Sequence, residues 1–244
     1  DVPARHPRPG TAIGIDLGVK ALITGVDAAG AVISVPGPRP LAAGLRRLRR
    51  ASRAHSRTRP GSAGRRRSAA RVARLHARIA NVRADALHKA TSALAAQYET
   101  VVAEDLNVAG MTRNRRLARA ISDQGFGAAR WMLAYKTTWN GGTLILAGRW
   151  YPSSKTCSGC GTVKAKLALS ERTYRCDDCG LAEDRDVNAA RNLLSLAASG
   201  AESRNARGET VRPSLAGRVP VNLEPGTRKR GKTGTAARQQ AATA

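Results

Sequence analysis

The sequence predicts an α/β domain interrupted by a small metal-binding ribbon, and three observations carry that expectation. Apolar runs of strand length alternate with long helical stretches between residues 11 and 151. Four cysteines stand late in the chain as two matched Cys-x-x-Cys pairs. Lone acids sit inside or at the ends of apolar runs, in a chain with only 17 Asp and Glu against 42 Lys and Arg.

Taken in order, DVPARHPRPG (residues 1–10) has no apolar period and is read as a disordered N-terminus. TAIGIDLGVKALITGVDAAGAVISVPG, residues 11–37, reads as three short strands. Turn signals at Gly18-Val19-Lys20 and Asp27-Ala28-Ala29-Gly30 separate them, and Pro36 and Pro38 end the run. Residues 41–58 and 65–97 read as helices divided by RPGSAG; the second carries Val72, Leu75, Ile79, Val82, Ala86 and Leu94 as a stripe. YETVVAEDLN gives a strand at about 100–106, FGAARWMLAYKTTWN a helix near 126–140, and TLILAGRWY another strand. Trp131, Tyr135 and Trp139 recur at helical spacing, which assigns them to the core. A last helix is expected over about 186–198, and residues 199–244, polar, basic and aperiodic, are read as a disordered tail. The expected organisation is a core over 11–152 with a basic helical insertion at about 41–97, a ribbon at 153–182, and a final core helix within 183–198.

A formal charge of +25 and a pI near 11.5 make polyanions the expected partners, nucleic acid first and an anionic membrane surface second. No apolar run reaches the ~18 residues of a membrane span, so no membrane insertion is expected. The N-terminus lacks both a signal-peptide core and an initiator Met. Paired rather than dispersed cysteines suit a reducing cytoplasm, where the chain would associate with the nucleoid when bound to DNA. No small-molecule substrate is evident. Between Asp27 and Asp85 there is no acid, and Leu41–Arg83 carries fourteen arginines, among them Arg46, Arg47, Arg49, Arg50, Arg65, Arg66 and Arg67. A charge run is usually a solvated face, but without compensating acids phosphate contact is the better reading. Arg113, Arg115, Arg116 and Arg119 form a second such segment. With only 3% aromatic residues, backbone contact should outweigh base reading.

Cys157-Ser-Gly-Cys160-Gly and Cys176-Asp-Asp-Cys179-Gly are separated by fifteen residues, a zinc-ribbon spacing. Each pair can wrap two sulfurs around one ion, and the following glycines permit the left-handed turn of a knuckle. Four thiolates leave no open position, so such a zinc is structural. A redox dithiol or coincidental cysteines are the alternatives.

The acids raise a separate question. Asp16 lies in Ile13-Gly14-Ile15-Asp16-Leu17-Gly18, where alternation puts it on a face with two glycines, a notch that a substrate backbone could approach. Glu104 ends the run Val101-Val102-Ala103. Asp186 opens the last helix beside Glu183 and Asp184. Taken singly, each has an ordinary reading as an arginine partner or a helix cap. Together, three carboxylates can hold one or two Mg²⁺ ions and promote phosphodiester hydrolysis.

Gly14-Ile15-Asp16-Leu17-Gly18, Glu104-Asp105-Leu106-Asn107, Ser154-Lys155-Thr156-Cys157 with the ribbon, and Asp184-Arg185-Asp186-Val187-Asn188-Ala189-Ala190-Arg191-Asn192 form a series. In combination it resembles TnpB, the OrfB-type protein of bacterial insertion sequences and a relative of the compact type V CRISPR effectors. The resemblance covers about residues 11–198. It implies a RuvC-like nuclease of the RNase H fold, a mixed sheet with helices and an inserted zinc ribbon. It also implies Asp16, Glu104 and Asp186 as Mg²⁺-binding catalytic acids and the four cysteines as Zn²⁺ ligands. Asp184 is then a helix cap or turn residue, and Glu183 is solvated. The family carries a long region ahead of its first catalytic strand, used for guide RNA and for recognising the target-adjacent motif; about ten residues stand there in this chain.

The implied function is that of a Mg²⁺-dependent DNA endonuclease, guided by RNA in its complete form. A non-cleaving nucleic-acid-binding protein or truncated remnant on the same scaffold is the second reading. A transposase directing an alcohol instead of water at the phosphodiester is the third.

Overall fold

The computed structural model describes residues 5–168 and 170–198. Residues 1–4 and the tail expected over 199–244 lie outside the described residues. Three strands form where the sequence alternates: β1 (Ala12–Asp16), β2 (Ile23–Asp27) and β3 (Val32–Val35). They pair antiparallel as a meander. Asp27 closes the second turn by accepting the Ala29 and Ala31 amides at 3.0 and 2.9 Å, and Gly30 supplies the positive φ.

The chain then leaves the sheet through α1 (Pro40–Ser56) and α2 (Ala63–Gln97) and re-enters as β4 (Thr100–Glu104), parallel to β1. After α3 (Val108–Met111), α4 (Ala118–Gln124) and α5 (Phe126–Trp139), β5 (Thr143–Ala147) pairs parallel with β4. The strand order is β3-β2-β1-β4-β5, a mixed sheet in the RNase H arrangement the sequence implied. β6 (Thr173–Arg175) and β7 (Ala182–Asp184) form a separate hairpin within the cysteine-bearing stretch, and α6 (Arg185–Ala198) follows at once.

Strand alternation divides the core into two layers. Ile13, Ile15, Val101 and Ala103 are buried against Leu87, Ala90 and Leu94 of α2 and Phe126, Ala129 and Leu133 of α5. Val102 faces the other way, onto Leu193 of α6. Gly14 shares that second face, and a Cβ there would stand 2.2 Å from the Ala190 carbonyl oxygen and 2.4 Å from the Leu194 nitrogen. The expected open notch is therefore only half right: α6 fills the space over Gly14, because the missing side chain lets its backbone lie directly on β1.

Several expectations change with packing. The stripe of α2 does not hold in register: Val82 is exposed, and Leu87, Ala90, Thr91 and Ala95 are buried in its place. The N-terminal half of this 35-residue helix packs on α1, with Ile79 against Gly44, and the C-terminal half packs on the sheet, so its apolar face rotates between two partners. Trp131 and Trp139 are exposed instead of lying in the core; only Tyr135, ring to ring with both, packs partly against it. The strand expected to run through Tyr151 stops at Ala147. Within residues 1–10, His6 is buried and bonds the Ala95 carbonyl oxygen at 2.9 Å, although periodicity gave no sign of it. Helix α4 was not foreseen. Its buried Asp123 accepts the Leu41 and Ala42 amides and caps α1, whose own N-cap, Arg39, offers no side-chain bond.

Candidate active site and cysteine cluster

Parallel pairing brings two of the acids together. Ile15 is registered opposite Ala103, so the next residues, Asp16 and Glu104, end adjacent strands on the face that α6 covers. The first turn of α6 carries Asp186 to the same place. The Oδ2 atoms of Asp16 and Asp186 both lie within 4 Å of where a Gly18 Cβ would stand, at 3.9 and 3.8 Å. Gly18, not Gly14, is thus the glycine that keeps space beside the carboxylates.

The electrostatics agree with that convergence. Burial, and then the charges of Glu104 and Asp186, push the Asp16 carboxyl up to about 8. Burial also raises Glu104, against the opposing effects of the Ser153 hydroxyl and the Arg185 guanidinium. A carboxyl whose ionisation is opposed by burial and by two neighbouring carboxylates belongs to a donor set suited to a hard divalent cation, whose charge would relieve the repulsion at Asp16.

Neighbouring side chains hold each acid in place. The buried Ser153 hydroxyl donates to Glu104 Oε1. Asp184 caps α6 by accepting the Asp186 amide at 2.9 Å and pairs with Lys20 at 3.2 Å, consistent with the cap or turn role expected of it. Asp105, next to Glu104, binds Arg130 and Arg149. Glu183 is not simply solvated: it accepts from the Ser158 hydroxyl at 2.6 Å and pairs with Arg191 at 3.1 Å, joining the cysteine stretch to α6. Sequence reasoning missed Ser153, Asn188 and Asn192. Asn188, fully buried, bonds both the Ser158 amide and the Thr156 carbonyl, and Asn192 donates to the Ser153 and Thr156 carbonyls. Two asparagines four residues apart on an otherwise apolar helix face were the available signal.

In the cysteine cluster, all four sulfurs lie within 4.8 Å of one another, with Cys157–Cys179 and Cys160–Cys176 each 3.6 Å apart. Tetrahedral zinc with sulfurs at ~2.3 Å calls for sulfur separations of about 3.8 Å, so the cluster can hold such an ion. The two knuckles repeat one design. The Gly161 amide bonds the Cys157 carbonyl and the Gly180 amide the Cys176 carbonyl, with φ of 79° and 75° at the glycines. Fully buried Tyr174 packs with Cys157 and Cys176 beneath the cluster.

The arginines lie elsewhere. Arg46, Arg47, Arg49, Arg50, Arg66, Arg67, Arg113, Arg115 and Arg116 are exposed. Arg65 is half-buried, its guanidinium on the Thr58 carbonyl oxygen at 3.2 Å. Among the described residues none of these arginines pairs with an acid. No described helix is long and apolar enough to cross a membrane.

Comparison with known proteins bears on both sites. Residues 1–115 match the OrfB_IS605 family, described as "Probable transposase", and residues 126–193 match the "Cas12f1-like, TNB domain" family. A Streptomyces pristinaespiralis protein named "Putative RNA-guided DNA endonuclease" is 44% identical over 90% of the chain and 54% of its own length. A Mycobacterium tuberculosis protein with the same descriptive name is 43% identical over 76% of the chain and 41% of its own length. The chain thus spans about half the length of these curated relatives. A Cas12f1–sgRNA–target DNA complex superposes with a TM-score of 0.55 at 19% identity, covering 77% of this chain and 50% of that one. A CRISPR-Cas12f ternary complex gives 0.57 at 21%, covering 80% and 40%.

Proposed function

For a chain that belongs to the OrfB/TnpB family and carries a Cas12f1-like TNB domain, we propose the nuclease role of an RNA-guided DNA endonuclease. Asp16, Glu104 and Asp186 hold Mg²⁺ at the ends of β1 and β4. The observation that carries the reading is the register of those strands, which sets two half-buried acids side by side under the first turn of α6. Mg²⁺ bound there supplies Lewis-acid stabilisation for charge developing on a phosphodiester. Ser153 orients the Glu104 carboxylate, Asp184 fixes the backbone that presents Asp186, and Arg185 tempers the negative charge of the cluster. The unpaired arginines of α1, α2 and the 113–116 segment hold phosphates of DNA or of a guide RNA. The four cysteines take a structural Zn²⁺ that keeps the ribbon docked on α6.

Incubating the purified chain with Mg²⁺ and end-labelled DNA, with and without guide RNA, tests this reading. Cleavage should fall by on the order of a thousandfold in each of Asp16→Ala, Glu104→Ala and Asp186→Ala, with no further loss in the triple variant. Asp85→Ala, which removes an exposed helix pair, should cleave normally. DNA binding without cleavage by the unaltered chain would favour the non-cleaving protein. Joined instead of hydrolysed products would favour strand transfer.

A further inference from the structure

Between β5 and Ser153 the chain makes a tight turn. The Tyr151 amide bonds the Gly148 carbonyl at 2.8 Å, which puts Arg149 and Trp150 at the two corners. Both ends of this turn are fixed beside Glu104: Ala147 is its register partner on β5, and Ser153 donates to its carboxylate. The Tyr151 hydroxyl adds a third anchor, bonding the Asn192 carbonyl of α6 at 3.0 Å. Trp150 is three residues from either anchor, so its backbone lies at most ~10 Å from them.

On this pinned turn Trp150 is 90% exposed, more than Trp131 at 50% or Trp139 at 62%. Nothing in the described chain covers its indole. Beside it, Arg149 reaches Asp105 at 3.4 Å, and Arg130 binds the same carboxylate. Two guanidiniums against one carboxylate leave this edge net positive, next to an acidic cluster that would otherwise repel phosphate.

We propose that Arg149 and Trp150 form a clamp for one nucleotide of single-stranded nucleic acid at the rim of the acidic cluster, with the indole on the base and the guanidinium on its phosphate. A single strand is the occupant because a duplex hides its base faces, whereas any unpaired base can stack on an indole. The positive edge selects this occupant over an apolar protein surface. The proposal rests on the nuclease reading for the identity of the strand as substrate. Its test needs no cleavage, so the two can fail separately.

Binding is measured at fixed salt in buffer free of Mg²⁺ and of chelator, with the zinc site loaded and excess zinc removed, using a thymidine octamer, an abasic octamer and an eight-base-pair duplex. Trp150→Ala should weaken the thymidine octamer between about fivefold and a hundredfold and leave the abasic octamer and duplex unchanged. Trp150→Phe should recover most of the loss, and Trp131→Ala should lose nothing. Arg149→Ala should weaken the thymidine and abasic octamers alike. Equal loss on all three ligands in Trp150→Ala, or no loss on any, would overturn the clamp. So would a change in oligomeric state by light scattering, which would identify the indole as a protein contact. Intact clamp behaviour in a chain that never cleaves would sink the nuclease reading alone.

Discussion

At Asp16 the sequence shows the acid, and the fold sets its chemistry. Burial and two neighbouring carboxylates raise it to about 8, so between roughly pH 4 and pH 8 the metal-free folded state keeps a proton that the unfolded chain has released. That state should therefore lose stability as pH rises through this window, by up to about 1.4 kcal/mol per pH unit for one proton, and level off above it. Thermal melts of the zinc-loaded chain in buffer free of Mg²⁺ and of chelator, comparing the chain with Asp16→Asn, measure the effect; the variant should show the flatter profile. Gly14 offers a second test. Gly14→Ala forces a Cβ against the backbone of α6, and urea unfolding should show a loss of at least about 1–3 kcal/mol. Asp16 was legible because a lone acid in an apolar strand stands out. Ser153, the Ser158 bond of Glu183 and the α6 backbone over Gly14 were not, because the partners in each pair lie between 25 and about 180 residues apart in sequence.

Among the elements, the cysteine stretch depends most on something beyond its own packing. Among the described residues its apolar cluster comprises Cys157, Tyr174 and Cys176, with Leu167 and Leu181 at the edge. Metal analysis of the freshly prepared, reduced chain should return one zinc per molecule, and Cys176→Ser should loosen the 153–182 stretch, read as faster amide exchange there. The α6 contacts extend that argument. Asn192→Ala removes the bonds to the Ser153 and Thr156 carbonyls, and should cost about 1–3 kcal/mol while also disturbing the serine that orients Glu104. Spacing made the cysteines and their glycines readable, since each knuckle is built from neighbours in sequence. The α2 stripe failed for the converse reason: periodicity records one apolar face, and this helix serves two partners in succession. Trp131 and Trp139 failed because helical spacing says which residues share a face but not whether anything covers it.

Across the molecule, charge and acid site are segregated: arginines crowd the outer surfaces of α1 and α2, and the acids lie under α6 at the strand ends. Such an envelope should give nucleic acid binding a steep salt dependence with weak sequence preference. Six neutralised phosphates correspond to a log–log slope of about −5 on duplex DNA, and removing exposed Arg66 and Arg67 should flatten it by about two units. A slope unchanged in that variant would make the run a solvated face. The strand order was legible only as a class, because β1–β4 pairing spans the entire helical crossover, and that pairing creates the site. The central claim, that Asp16, Glu104 and Asp186 form one divalent-cation centre, is tested most directly by counting bound Mn²⁺ by electron paramagnetic resonance in the zinc-loaded chain. One or two ions should bind, and Asp16→Asn, Glu104→Gln and Asp186→Asn should each weaken the same ions. Full occupancy at unchanged affinity in all three folded variants would contradict it.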